Sequence, residues 1–578
     1  MKKLLALLLS LLTICTALFS VACVDYGEEE RSDITYLYVN TRENGFKADY
    51  LRALEADFES TYARTSFADG KTGIDLVVGE DYNLSQDGFY SKIPTSTFNV
   101  HIVEGLYYFN YANSSLVLDI SDWIKETIPG ENKSIEDKMY DDQKESLTAV
   151  GGKYYALPVF ASASGLTYNA DLFKDRLFYF ADEGGFKPFA TSSYTGKTYT
   201  GKGFIQDIDD EKSCGPNGVY ENGEGDDGLP STYEEFFYLL DYMLDEDVIP
   251  LIWTGKSNHY TNYLATALQT FMMSKAERVA SFSFDSGNEP FRYVDGFDKD
   301  GNPIVKETTI TPDNGYLVKQ SYASYLSLKF QEALYTHGKD GKNYYDSRVI
   351  GQGLSNTTAQ NVYMNSTTDM NDKNDIAMLI EGSYWYNEAG KETDPVGKTR
   401  GFKMMRLPSK ELGTVAEGEI INSAMVDGFY KYMVVNKNIE NNEEKLKAAK
   451  AFVQYFYKDA SLQKITTTTG IPVGIKYDLT NQQYNGLSIF GKSSWDIYKE
   501  AMQKDSYVTP LSKSGIFFKH YNTFTTNSLG YSFKSTINGL ARNLVFEAMT
   551  QYDATARDYF DGMKIDKTTW DSNYKIYA

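Results

Sequence analysis

From Ile34 onward the spacing of apolar positions changes period several times. Ile34-Thr35-Tyr36-Leu37-Tyr38-Val39 alternates and is rich in β-formers, so it reads as a strand, and Asn40-Thr41-Arg42-Glu43-Asn44-Gly45 is the turn after it. In Tyr50–Tyr62 the residues Leu51, Leu54, Phe58 and Tyr62 fall at helical spacing, and Ile74–Val78 is again strand-like. Strand, helix, strand is a βαβ unit. In an open parallel sheet such units place ligands at the carboxyl ends of the strands. Asn40, Thr41 and Arg42 are therefore candidate contacts, with a solvated turn as the other reading.

Further along, Tyr154–Val159 and Gly165–Asn169 are two apolar segments of strand length, separated by Phe160-Ala161-Ser162-Ala163-Ser164. Asn169-Ala170-Asp171-Leu172-Phe173 reads as a turn into a helix with Asn or Asp at its cap. Ser231 and Thr232 each have a Glu three places on, which is capping-box spacing, and Phe236, Phe237, Leu240, Met243 and Leu244 then share one face. Val248–Trp253 is the next strand, and Tyr260–Phe271 continues as a helix. Asp298-Lys299-Asp300-Gly301-Asn302 is the turn of a hairpin between Tyr293–Phe297 and Pro303–Val305. Gly428–Val435 reads as a strand and Lys445–Lys458 as an amphipathic helix. The tail through Phe546, Tyr559 and Trp570 reads as further helices.

The amino terminus changes the picture. Met1-Lys2-Lys3 precedes a mostly apolar stretch to Ala22, and Ser20-Val21-Ala22-Cys23 puts small residues before a cysteine. This is a secretory leader, residues 1–22, rather than a membrane span. It resembles a bacterial lipoprotein signal in which Cys23 becomes the lipidated first residue, although Ser20 stands where such signals usually carry Leu. An ordinary signal peptidase cutting at the same bond is the alternative. Cys15 lies in the leader, so only Cys214 remains in the body, and the exported fold has no intramolecular disulfide.

A chain of 578 residues exceeds one hydrophobic core, and 42% hydrophobic with 24% charged residues is globular. The net charge of -22 makes a nucleic-acid role untenable, because such a surface repels phosphate. The 47 tyrosines supply amphipathic rings for a core, a surface or a sugar.

The segment Gly151–Phe173, GGKYYALPVFASASGLTYNADLF, resembles the extracellular solute-binding proteins of sugar-type ABC importers, which include maltose-binding protein. In that family G-K-x-Y-x-x-P closes the first lobe and L-x-Y-N-x-x-L-F opens the second, with cleft-lining residues between; this points to Phe160 and Ser162. Phe98–Gly105 resembles the family strand that ends in a cleft-facing polar residue, here Glu104 as a hydroxyl acceptor. Leu116–Ile124 matches L-x-D-L-T-D-W, where Trp123 packs within its own lobe. Ser231–Phe236 with Val248–Leu251 resembles T-W-D-E-F followed by P-L, after which the family places sugar contacts. Trp253, Asn258, His259, Tyr260 and Tyr263 are the candidates, with Asn258 standing where maltose-binding members carry Glu. Asp375–Tyr386 resembles the strand A-A-M-x-I-N-G-x-W, whose ring after the Gly turn stacks on a sugar face; Tyr384 holds that place and Trp385 follows it. Thr469-Gly470-Ile471-Pro472-Val473 resembles the return G-x-x-P.

The resemblance implies an α/β fold of the two-lobe periplasmic-binding type, with discontinuous lobes joined by a hinge. After an anchor and linker at 23–33, residues 34–160 and about 400–473 would form the first lobe, and 161 to about 399 with 474–578 the second. The implied function is binding an extracellular carbohydrate, an oligosaccharide by expectation, and delivering it to ABC permease subunits. The protein would be a lipid-anchored monomer on the outer face of the bacterial membrane, with no catalytic residues. The acidic loop Gly215–Gly228 has enough oxygen donors for a structural calcium but lacks EF-hand register, so a solvated loop is the other reading. Two rival functions stay open: a secreted glycoside hydrolase, which needs two carboxyls across one bond, and a surface glycan-binding or sensory lipoprotein without a transporter.

Overall fold

Ten strands of the computed structural model, paired in two separate five-stranded sheets, carry the architecture. The structure describes residues 30–41, 47–80, 91–104, 112, 114–148, 151–188, 191, 194–351, 353–366, 375–390, 401–408, 425–427, 431–503, 529, 533–542 and 544–577. In chain order the strands are β1 (Thr35–Thr41), β2 (Ile74–Gly79), β3 (Val100–Glu104), β4 (Leu157–Pro158), β5 (Ser162–Asn169), β6 (Ile249–Ile252), β7 (Ile376–Gly382), β8 (Phe402–Met405), β9 (Met425–Asp427) and β10 (Lys431–Val435).

The first sheet has the order β2-β1-β3-β10-β4, with β1 parallel to β2 and β3, and β10 antiparallel to its neighbours. Leu37 and Val39 of β1 are fully buried, as the alternation requires. Helix Asp49–Tyr62 covers this sheet through Leu51, Leu54 and Phe58, and Phe58 meets Phe452 and Tyr455 of helix Glu443–Phe456 at 5.5 and 5.2 Å. The second sheet has the order β8-β5-β7-β6, with β9 also paired to β5. Its helices include Tyr233–Asp245, Thr261–Phe271, Tyr322–Thr336 and Ile489–Gln503. Of the two hydroxyls at capping-box spacing, Thr232 is the cap: it accepts the Glu235 N–H at 3.1 Å, and the Glu235 carboxylate accepts from Ser231 and Thr232. Asn169 caps the helix after β5 by accepting the Leu172 N–H at 3.1 Å. The hairpin around Asp298 forms as expected, between Phe291–Phe297 and Pro303–Thr308.

Two boundaries differ from expectation. Ser162-Ala163-Ser164 is not a linker; it is the start of β5, because its backbone pairs with Met425–Asp427 on one side and Gly382 on the other. The stretch near residue 400 assigned to the first lobe joins the second sheet instead. Met404 and Met405 of β8 are buried there, in register with Thr167 and Leu166.

The chain passes between the sheets side by side. β4 and β5 lie in different sheets, and so do β9 and β10, which run antiparallel to them. A third strand of backbone joins this crossing: Ala161 N–H donates to Pro472 O at 3.0 Å and Gly474 N–H to Val159 O at 3.1 Å. Tyr457 braces it by donating its hydroxyl to Pro158 O at 2.7 Å. Phenylalanine at Tyr457 would leave that carbonyl short of a partner, a loss of about 1 kcal/mol that urea unfolding would measure.

Candidate functional site

The wall contributed by the first sheet starts at the carboxyl end of β1. Asn40 and Thr41 are both fully buried there. The Tyr50 hydroxyl donates to Thr41 Oγ1 at 2.9 Å, and the Tyr50 ring meets the Phe160 ring edge-on at 5.0 Å. Phe160 is fully buried in this contact and bridges to Val473, so it packs the crossing rather than facing open space. Arg42 lies outside the described residues, as does the leader with Cys23. Glu104 ends β3 opposite Lys431, but its side chain is outside the described set.

The second wall is built on the end of β7. Gly382 turns the chain, and the turn is pinned to the start of β5: Ser383 N–H donates to Ala163 O at 2.8 Å, Ala163 N–H donates to Ser383 Oγ at 3.2 Å, and Ser162 Oγ lies 3.3 Å from Ser383 Oγ. Tyr384 follows. It shares hydrogen bonds with Tyr260 and with Glu381, and Tyr263 lies 6.4 Å from its ring and 5.2 Å from that of Tyr260. The structure thus brings Ser162, Tyr260, Tyr263 and Tyr384 together from three distant stretches. Asn258 and His259 sit in the short helix Gly255–Tyr260 just before, with side chains outside the described residues.

Two aromatic candidates go elsewhere. Trp385 is fully buried: its indole N–H donates to Thr167 Oγ1 at 3.0 Å, and Tyr363, Phe402 and Phe490 surround it at 5.1–5.7 Å from one another's or its own ring. Trp253 is fully buried against Tyr335, Tyr345 and Phe546. Successive residues at a helix start point in different directions, so Tyr384 packs at the turn beside Tyr260 while Trp385 enters the core between β5 and β8, and both are buried. Burial removes both tryptophans, Phe160, Asn40, Thr41 and Ser162 from ligand reach in this structure, and Tyr384 itself is only 3% exposed.

Sequence reasoning missed the polar residues behind Tyr384. Glu381 is 2% exposed. It accepts from Gln360 Nε2 at 3.0 Å and from the Gly382 N–H at 3.0 Å, and the same Gln360 amide donates to Glu388 at 2.6 Å. Burial, with Glu388 nearby, pushes the Glu381 carboxyl up to about 8, so it keeps its proton at neutral pH. The signal was present as a carboxyl in the otherwise apolar strand Ile376–Gly382, where the family pattern has Asn. Burial and Glu381 also push the Tyr260 phenol upward. The half-buried Tyr260 and Tyr263 offer phenols and ring surface, which pair with hydroxyls and C–H faces, and the buried Gln360 and Glu381 stand behind them.

Gly382 gives a direct test of this arrangement. A Cβ there would come within 2.3 Å of the Tyr384 ring, so Gly382→Ala must displace that ring. Near-ultraviolet circular dichroism should change in the tyrosine band while far-ultraviolet signal stays; an unchanged tyrosine band would contradict the packing described.

The acidic loop is knit to itself. Asp227 Oδ2 accepts the N–H groups of Glu221 at 2.9 Å and Gly223 at 2.7 Å, and Asp226 Oδ2 accepts that of Asn217 at 2.9 Å. Asp226 Oδ1 also lies 3.5 Å from Arg406 Nε. Among the described residues no group of three or more His, Cys, Asp or Glu is arranged to hold a metal ion. Asp226 and Asp227 thus each spend one carboxylate oxygen on backbone donors of the same loop. No helix among the described residues is long and apolar enough to cross a membrane.

No protein-family model and no curated protein matches the sequence. Solved structures do match. RafE from Streptococcus pneumoniae in its apo form is similar over 95% of this chain and 100% of its own, with a TM-score of 0.50 and 14% identity. The SBP RafE in complex with raffinose matches over 94% and 99%, again at 0.50 and 14%. A chitin oligosaccharide binding protein matches over 94% and 99%, with a TM-score of 0.49 and 16% identity. The chain has the α/β fold of the two-lobe solute-binding proteins, over 95% of its length.

Proposed function

We propose that this protein binds a carbohydrate, an oligosaccharide by expectation, between its two sheets, and delivers it to the permease subunits of an ABC importer. The observation that supports this most is the placement of Tyr384. It follows the Gly382 turn at the crossing of the chain, beside Ser162, and is hydrogen-bonded to Tyr260 and Glu381. A ring with hydroxyl-pairing neighbours at a joint between two sheets suits a ligand that must touch both halves when closed. Without contacts to both, binding would not favour closure. The fold is also that of a protein solved with raffinose. In this reading Tyr260 and Tyr384 form the platform and the short helix with Asn258 and His259 leads into it, while Asn40, Thr41 and Ser162, buried like Phe160, lie out of ligand reach in this structure. Cys23 tethers a monomer by lipid to the outer face of the membrane.

The hydrolase reading has its footing in the Glu381–Glu388 pair, both carboxyls bonded to one amide. One experiment separates the two. The leaderless protein is screened by thermal shift against mono- and oligosaccharides, and the sugar is analysed before and after incubation. Ligand that binds the native state raises the melting temperature by mass action. A shift with the sugar recovered intact is the expected result; a shift with cleaved sugar makes the protein an enzyme, and no shift with any sugar removes the carbohydrate reading.

A further inference from the structure

A cavity of about 680 Å3 lies apart from the Tyr384 wall, between helix Ala170–Asp175, the acidic loop, β8 and helix Ile489–Gln503. No residue of the carbohydrate site described above lines it. Its size falls in the ordinary range for small-molecule sites, roughly 300–1,000 Å3. Lys174, Lys212, Lys403 and Lys492 line this cavity. Among the described residues, none of these four lysines is in an ion pair. In a chain with 79 acidic residues against 57 basic ones, charge alone would be expected to give surface lysines carboxylate partners.

Of the four carboxylates on the same walls, three are engaged otherwise and the fourth, Glu224, also lines the cavity. Asp171 accepts the Gly401 N–H at 2.8 Å, Asp496 accepts the Tyr484 hydroxyl at 2.9 Å, and Asp226 is tied to Asn217 and Arg406. Burial pushes Asp226 up to about 8, which thins the negative charge at neutral pH, and burial also raises Asp496. Lys212 lies 5.2 Å from the Tyr179 ring and Lys492 lies 5.7 Å from that of Tyr484, so two ammonium groups are held against ring faces on the cavity wall.

We propose that this cavity is a second binding site, for a small organic oxyanion, with Lys212, Lys403 and Lys492 supplying the positive charge and Tyr179 and Tyr484 the ring surface. Carboxylate, sulfate and phosphate groups on a sugar-sized body share the chemistry required. An ammonium meets each of them as a point charge, and in a partly enclosed site that attraction exceeds its value in open water.

The test is calorimetric titration of the leaderless protein with glucuronate, glucose 6-sulfate and glucose 6-phosphate, which separate the three anion types, and with glucose as the uncharged control. At least one charged sugar should bind at low salt and weaken strongly at about 0.5 M salt, where screening acts within a few ångströms. The double variant Lys403→Gln/Lys492→Gln should melt like the parent and bind that sugar at least about tenfold more weakly, a change of about 1.4 kcal/mol. Tyr384→Ala should leave it unchanged, whatever happens to neutral sugars, so this site and the carbohydrate site fail independently. Absence of binding by all three anions at low salt overturns the proposal. So does an undiminished affinity in the double variant, or loss of anion binding in Tyr384→Ala.

Discussion

Trp385→Ala should destabilise the protein by about 3–5 kcal/mol, the usual cost of removing a large ring from a packed core. The indole is fully buried, its N–H has a single partner in Thr167, and its neighbours Tyr363, Phe402 and Phe490 come from three other elements. Truncation opens a cavity under β8 and β5 and leaves Thr167 Oγ1 without its donor. Trp385→Phe keeps most of the volume and should lose less. Tyr384, one residue earlier, is also buried at 3% exposure, so Tyr384→Ala should cost stability too, but it should in addition weaken carbohydrate binding at least about tenfold, which Trp385→Phe should not. Urea unfolding of the three variants, with titration of whichever sugar the screen identifies, reads both quantities. A Trp385→Ala protein as stable as the parent but unable to bind sugar would reverse the roles assigned to these two rings.

Stability should be greatest near pH 5 and fall as pH rises towards 8. Burial pushes Glu381 and Asp226 up to about 8, Glu235 up to about 7 and Asp227 up to about 6. A carboxyl whose folded value lies above its unfolded one favours folding while both states are protonated. The advantage is lost as pH climbs from the unfolded value through the folded one, because the unfolded chain ionises first. The opposite group limits the acid side. Burial works against Glu277 and Asp346, but hydrogen bonds from Arg292 and Arg348 hold both below the usual carboxylate range, so their contribution disappears as pH falls through those low values. The melting temperature measured from pH 4 to 9 should therefore peak near pH 5. Glu381→Gln, which keeps the shape and removes the ionisation, should make the descent shallower. A melting temperature that climbs from pH 5 to 8 would show that these carboxyls are ionised in the folded protein.

Much of the framework was legible in the chain. Alternation in Ile34–Val39, helical spacing in Tyr50–Tyr62 and the capping-box spacing near Thr232 depend on neighbours within a few residues, and the structure has those elements within a few positions. The acidic excess and the lone body cysteine are likewise properties of sequence alone. What tertiary structure decided was direction and partnership. Tyr384 and Trp385 are adjacent aromatics that no periodicity separates, and only the packing of β5, β8 and helix Ile489–Gln503 draws the indole inward. Ser162-Ala163-Ser164 looks like a small polar linker, yet it is strand because Met425–Asp427 and the Ser383 turn supply its hydrogen bonds from more than two hundred residues away. Glu381 reads as one carboxyl among 79 until Gln360 and Glu388 close around it. Local spacing fixes which element a segment forms; which face is buried, and which carboxyl is stripped of water, depends on distant residues whose contacts exist only after the chain has folded.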